Sequence, residues 1–187
     1  RGGTNGVFSR ALDSSLNVQT AVRLTESKGM ATAVSYGDGV WGAAWLASDG
    51  AQPNELAFML LDDAGGATDV EQRIPGGGVG RIAIAYGQGT FGIAWSKAAD
   101  GLAPKPHLTL IESGGDIIGT PPVQGPDGFG LAQSINWIGI SGFAIGWVAT
   151  QMDGQKRAGV TRISTLGIPL QPTILPLAEG AGHLGIS

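Results

Sequence analysis

Cysteine is absent from the 187-residue sequence, which excludes disulfide bonds and thiolate metal sites. No apolar run approaches the roughly 18 residues that a membrane-spanning helix needs, so we expect no membrane insertion. Positive charge is scarce and scattered, since the formal net charge is −4 and there is no Lys/Arg cluster. This balance disfavours nucleic acid and anionic membrane surfaces as partners.

Catalytic and metal-binding signatures are equally sparse. The two histidines, His107 and His183, have no recognisable carboxylate partner for a metal site, which favours structural or surface roles. No G-x-S-x-G motif occurs, and the glycine run at 76–80 lacks the Lys-Ser/Thr ending of a phosphate-binding loop. The sequence therefore predicts no catalytic residue, no metal site and no cofactor.

Glycine, in contrast, is abundant, with 33 copies, and it recurs within one repeated element. The element reads YGDGVWGAAW at 36–45, YGQGTFGIAW at 86–95 and IGISGFAIGW at 138–147. The residues that end the three copies, Trp45, Trp95 and Trp147, are separated by 50 and 52 positions. Abundant glycine together with many Val, Ile, Leu and Trp residues is typical of short strands joined by tight turns.

Each copy predicts a strand that follows a glycine-rich hairpin turn with positive φ values. Side chains alternate between the two faces of a strand, so Phe91, Ile93 and Trp95 share one face while Gly92 and Ala94 share the other. Neither face is polar, which indicates a strand covered on both sides. We therefore expect the bulky face of one sheet to fill the space left by the small-residue face of the next.

Three further strands complete the repeating unit. An apolar run such as Ala31–Tyr36 precedes the tryptophan strand, and a third strand follows it across a polar loop and ends at an Asp/Gly-type turn. The fourth strand carries alternating charge at 68–74 and proline at 120–124 and 171–175. Both features suit an exposed sheet edge.

This unit predicts how the chain is organised. The predicted segments are 1–30 as the back half of one unit, 31–80, 81–130 and 131–182 as whole units, and 183–187 as the first strand of another. The chain is expected to open in mid-unit because Leu12-Asp13 matches Leu61-Asp62 and Ile111-Glu112, each an apolar strand end followed by an acidic turn residue.

A unit of four antiparallel strands with an apolar second strand and an edge-like fourth resembles the blade of a β-propeller. The Trp-Asp signature of WD40 blades and the di-Gly pattern of kelch blades are missing. The sequence pattern of aromatic-Gly-x-Ala-Trp followed by acidic-x-x-Gly is similar to degenerate propeller repeats of secreted bacterial proteins. The expected fold class is therefore all-β, a β-propeller with about three complete four-stranded blades and partial blades at both ends.

The partial blades at the two ends contain no copy of the second strand, so simple closure into a ring would leave a gap in the hydrogen-bond ladder. The sequence begins at Arg1 with no visible signal peptide. We expect the chain to be part of a larger propeller. The alternative is a chain whose missing strand comes from another copy, and either arrangement exposes apolar blade faces that favour association.

The resemblance implies an extracellular or cell-surface bacterial protein. It favours a non-catalytic binding or scaffold propeller that presents loops to a protein or glycan partner. One alternative is a propeller hydrolase or lyase whose catalytic groups converge at the channel mouth. A second alternative is a self-assembling structural module.

Candidate ligand-binding residues lie mainly in the loops that a propeller presents on one face. They are Asp49, Asn54, Lys97, Asp100, Asp127, Gln151 and Asp153. Trp137 is added as a surface or channel aromatic because it falls outside the repeat pattern. The simpler interpretation is that these are ordinary solvated loop residues, and that the repeated tryptophans form the core instead of stacking on sugars.

Overall fold

The fold is all-β and consists of four antiparallel sheets. The computed structural model describes residues 6–48, 54–98, 103–123, 129–150, 154–170 and 172–175. In these ranges the only helical segment is the 3₁₀ turn Gly139–Ser141. No helix in this part of the chain is long and apolar enough to cross a membrane.

Three of the four sheets share one architecture, with four strands hydrogen-bonded in chain order. Sheet 1 pairs β1 (Val7–Ser9) with β2 (Val22–Thr25). Sheet 2 contains β3 (Lys28–Gly37), β4 (Val40–Ser48), β5 (Glu55–Leu61) and β6 (Gln72–Ile74). Sheet 3 contains β7 (Gly78–Gly87), β8 (Thr90–Lys97), β9 (Lys105–Glu112) and β10 (Ile117–Gly119). Sheet 4 contains β11 (Phe129–Trp137), β12 (Phe143–Thr150), β13 (Lys156–Ile163) and β14 (Thr173–Leu175).

The tight turns between the first and second strands have the predicted backbone in sheets 2 and 3, whereas sheet 4 has the 3₁₀ turn Gly139–Ser141 in place of the predicted hairpin turn. Asp38 and Gly39 have φ values of 56° and 77°, and Gln88 and Gly89 have φ values of 50° and 77°. Two consecutive left-handed residues define a type I′ turn, whose twist matches that of the strands it joins. The glycine-rich turns of sheets 2 and 3 are therefore hairpin turns as expected.

Successive sheets interlock through a bulky face and a small-residue face, as predicted. A Cβ built on Gly42 would lie 2.8 Å from the Phe91 ring, and one built on Gly92 would lie 2.8 Å from the Phe143 ring. Both phenylalanines are fully buried. Glycine at these positions is therefore required by the close approach of the next sheet.

The repeated tryptophans occupy equivalent ladder positions on the second strands. Trp45, Trp95 and Trp147 are all fully buried. The indole Nε1 of Trp95 donates a hydrogen bond to Thr109 Oγ1 at 3.0 Å, and that of Trp147 donates to Thr161 Oγ1 at 2.9 Å. These three residues are core residues, as the sequence predicted.

The sheets converge along their first strands. Strand β7 packs between β3 and β11, whereas the fourth strands β6, β10 and β14 make no comparable contact with one another. One apolar cluster joins sheets 2 and 3, another joins sheets 3 and 4, and a third joins sheets 1 and 2. No such cluster joins sheet 4 to sheet 1 among the described strands, so closure into a ring is not seen there.

The fourth strands are shorter than predicted. Strands β6 and β14 occupy only the ends of the predicted segments 68–74 and 171–175, and β10 precedes the predicted segment 120–124. Pro121 and Pro122 cannot donate to a ladder, and Pro122 forms only an isolated bridge with His107. The prolines therefore end the regular pairing instead of taking part in it.

Candidate binding surfaces

The two ends of the sheets carry different candidate residues. We call the end where second strands lead into third strands the loop end, and the end with the first hairpin turns the turn end. Asn54 and Lys97 lie at the loop end, whereas Trp137 is the last residue of β11 and lies at the turn end. The structure therefore does not bring Trp137 together with the other two. The remaining candidates, Asp49, Asp100, Asp127, Gln151 and Asp153, lie outside the described residues.

Asn54 and Lys97 both contact the link between β6 and β7. The Asn54 carbonyl accepts a hydrogen bond from Gly78 N at 2.6 Å, and Asn54 Nδ2 donates to the Gly78 carbonyl at 3.1 Å. Lys97 Nζ donates to the Pro75 carbonyl at 3.3 Å. Both side chains are half-buried. These contacts give both residues a structural role in joining sheet 2 to sheet 3.

A strip of basic side chains, defined as Lys97, Lys105 and His107, lies at the same end. Lys97 faces Lys105 across the β8–β9 ladder, and the His107 ring centroid lies 5.9 Å from that of Trp95. Burial lowers the pKa of His107, and the two lysines lower it further, so the imidazole is neutral at pH 7. Within the described ranges, His107 Nδ1 has no hydrogen-bond partner. Sequence reasoning missed the strip because its members meet only through strand register.

Trp137 belongs to the repeat, which corrects the expectation that it falls outside. It pairs with Phe143 in the ladder as Tyr86 pairs with Phe91. The Trp137 ring covers Gly87 of the preceding sheet, and its centroid lies 5.0 Å from that of Phe143. The equivalence is hidden in the sequence because the turn 138–142 is one residue longer than the turn 87–90.

The acidic residues that begin the turns between third and fourth strands have structural contacts. Asp13 Oδ1 accepts hydrogen bonds from the backbone N–H groups of Ser15 and Asn17, each at 2.9 Å. Asp62 Oδ1 accepts one from Gly66 N at 2.7 Å. Hydrogen bonds from the Asn17 side chain and backbone lower the pKa of Asp13. Turn chemistry therefore accounts for these carboxylates.

An apolar cleft of about 510 Å³ opens between sheets 1 and 2 at the turn end. Its lining includes Phe8, Arg10, Leu12, Val34, Trp41 and Leu61. We define the open face as Val34, Tyr36 and Trp41, whose exposed fractions are 61%, 52% and 37%. Sequence reasoning predicted exposed apolar blade faces in general but could not identify these side chains.

The described residues hold no group of three or more His, Cys, Asp or Glu side chains placed to share a metal ion. No family model, curated protein or solved structure matches the chain. The geometry of the sheets and their ends is therefore what indicates a function.

Proposed function

We propose that the sheets are blades of a β-propeller and that the protein is a non-catalytic binding scaffold. The observation that carries this proposal is the fanned arrangement of the sheets. First strands pack side by side, while fourth strands make no comparable contact. Radial wedges of this kind are the arrangement by which propeller blades surround a central channel.

The distribution of burial across each sheet supports the same arrangement. The second and third strands lie between neighbouring sheets, and most residues of β4, β8 and β9 are buried. The fourth strands β6, β10 and β14 contain three residues each. Short edge strands limit unwanted pairing with other chains, and a propeller blade has such an edge at its outer rim.

The contrast between packing and loop sequences supports a binding role. The residues that interlock the sheets repeat, whereas the segments that join second to third strands differ in length and have only an Asp-Gly pair in common. These segments read DGAQPN at 49–54, AADGLAP at 98–104 and QMDGQ at 151–155. Variable loops on a repeated scaffold are where binding residues commonly lie. The proposed partner is a protein or glycan, and the proposed location is the bacterial cell surface or the extracellular space, in keeping with the resemblance of the repeats.

The blade arrangement is tested by measuring distances between spin labels, for which the cysteine-free chain is well suited. One labelled pair joins first strands, Thr32→Cys with Gln133→Cys, and the other joins fourth strands, Gln72→Cys with Thr173→Cys. Radial blades predict a clearly longer distance for the second pair. Equal distances would indicate a parallel stack and refute the propeller.

The binding role is tested on a glycan array and by capture of extracellular proteins. Variants replace 49–53, 99–102 or 151–153 with Gly/Ser segments of equal length. We expect at least one variant to lose binding while its urea unfolding midpoint is unchanged. Ile140→Asp, at a turn-end position that is 96% exposed, is the control and should bind normally. Binding that survives all three replacements would contradict presentation by the loops.

A further inference from the structure

The two interfaces between four-stranded sheets have the same pair of aromatic contacts. Tyr86 covers Gly37 and Phe91 covers Gly42 between sheets 2 and 3, and Trp137 covers Gly87 and Phe143 covers Gly92 between sheets 3 and 4. The two glycines lie five residues apart in both cases. An aromatic pair on one sheet therefore packs on a glycine pair in the first hairpin of the preceding sheet.

The same aromatic pair exists on sheet 2, where it is exposed. Tyr36 and Trp41 face each other across the β3–β4 ladder, and their ring centroids are 5.1 Å apart. Phe91 and Phe143, which occupy the position of Trp41 in sheets 3 and 4, are fully buried. The open face thus has the geometry of an interface whose glycine-bearing side is not among the described residues.

Sheet 1 indicates where the glycine-bearing hairpin of this interface would lie. The turn after β1 is closed by Asp13 N donating to the Asn17 carbonyl, the pattern of the turns between third and fourth strands. Those turns are Asp62–Gly66, Glu112–Asp116 and Ser164–Ile168. Strands β1 and β2 are therefore equivalent to a third and a fourth strand. Among the described strands, β1 pairs only with β2, so its other edge corresponds to the edge that binds a second strand.

We propose that the open face and the outer edge of β1 bind an antiparallel β-hairpin that carries two glycines five residues apart. The second strand of the hairpin adds to β1 through backbone hydrogen bonds, as in strand addition to a sheet edge. Its two glycines receive the rings of Tyr36 and Trp41. This inference rests on the two interfaces inside the chain and is independent of whether the sheets belong to a propeller.

A second copy of the chain is a poorer occupant than a glycine-bearing hairpin. The outer face of sheet 4 would have to supply the receiving hairpin, and it has Ile138 and Ala144 where sheets 2 and 3 have glycines. A Cβ at the position of Ala144 would approach an aromatic ring at about the 2.8 Å found for Gly42 and Gly92. The same face also exposes Arg162, next to Ala144 in the ladder. Head-to-tail stacking of copies therefore lacks the complementarity of the internal interfaces.

The probe is a peptide of residues 78–97, the β7–β8 hairpin, cyclised through D-Pro-Gly because Gly78 and Lys97 are paired in the ladder. Cyclisation reduces the entropy lost when a hairpin binds. Fluorescence anisotropy of the labelled peptide with the full chain should show saturable binding. A Gly92→Leu peptide should bind at least about tenfold more weakly, whereas a Gln88→Asn peptide, changed only in the turn, should bind equally.

Protein variants locate the surface. Val34→Lys and Trp41→Ser should each weaken binding at least about tenfold, and Val34→Lys tests the surface at an exposed position where folding is preserved. Ile140→Asp should leave binding unchanged. The proposal is overturned if the folded wild-type chain does not bind the peptide, or if the Gly92→Leu peptide binds as well as the wild-type one. It is also overturned if ultracentrifugation shows a dimer that Val34→Lys abolishes while the peptide does not compete.

Discussion

The hydrogen bond between Trp95 and Thr109 should contribute measurably to stability, because neither group has access to water. Both residues are fully buried, and the Nε1–Oγ1 distance is 3.0 Å. Thr109→Val keeps the side-chain shape and removes the acceptor. The indole N–H of Trp95 then remains buried without a partner.

Leaving a buried donor unsatisfied costs about 1–3 kcal/mol. For a chain of this size, a loss of about 2 kcal/mol corresponds to a fall in Tm of roughly 4–8 °C. Thr109 Oγ1 also lies 3.3 Å from Thr120 Oγ1. Thr120→Val alone therefore serves as the matched control, and it should cost less because Thr120 is only half-buried.

Sheet 2 provides an internal comparison. Met59 occupies the position of Thr109 in the ladder, and Trp45 Nε1 has no acceptor among the described residues. Trp45→Phe should therefore destabilise the chain less than Trp95→Phe, by about 1–3 kcal/mol, since only the second change breaks a hydrogen bond.

The assay is urea unfolding followed by fluorescence and circular dichroism. A double-mutant cycle combines Thr109→Val with Trp95→Phe, and the two changes should be coupled by about 1 kcal/mol or more. A coupling energy near zero would refute the argument, because the hydrogen bond would then contribute nothing beyond packing. Equal losses for Trp45→Phe and Trp95→Phe would refute it independently.

Three further predictions concern packing, pH and backbone strain. Gly92→Leu should lower stability by about 1–3 kcal/mol or more through overlap with Phe143, whereas Gly114→Ala, where a Cβ meets nothing within 4 Å, should stay within about 0.5 kcal/mol of wild type in urea unfolding. The pKa of His107 is lowered by burial and then by two lysines, so the unfolded chain binds the proton more readily. The free energy of unfolding should thus fall as pH drops below about 6.5, and a wild-type pH profile that matches that of His107→Gln would contradict this. Ala31 has a φ of 50°, so Ala31→Gly should raise stability by about 1 kcal/mol, and a loss of stability would exclude strain there.

The sequence predicted the structural elements that are determined by residues adjacent in the chain. Alternation at 90–97 predicted a strand buried on both faces, and glycine at 37–39 and 87–89 predicted left-handed turns. The complementarity of bulky and small faces also followed from alternation alone, since Phe91 and Gly92 must point in opposite directions. The all-β class was therefore accessible from pattern and composition.

Features that depend on register or on insertions were not accessible. The equivalence of Trp137 with Tyr86 was hidden by one additional residue in the turn that follows Trp137. The pairing of Lys97 with Lys105 required knowledge of which residues face each other across β8 and β9. The exposure of Trp41 depends on what covers sheet 2, and no local pattern distinguishes it from its buried counterparts.

A break in register recurs in the first strand of each four-stranded sheet, opposite the tryptophan region of the second strand. The pairing shifts between Met30 and Ala33 in β3, between Val79 and Ala83 in β7, and between Ala132 and Ser134 in β11. Removal of one residue beyond such a shift would turn the following side chains to the opposite face. Changes in the length of these strands are therefore expected within the shifts, where β7 has two additional residues and β3 and β11 have one each, and not in the paired stretches beyond them.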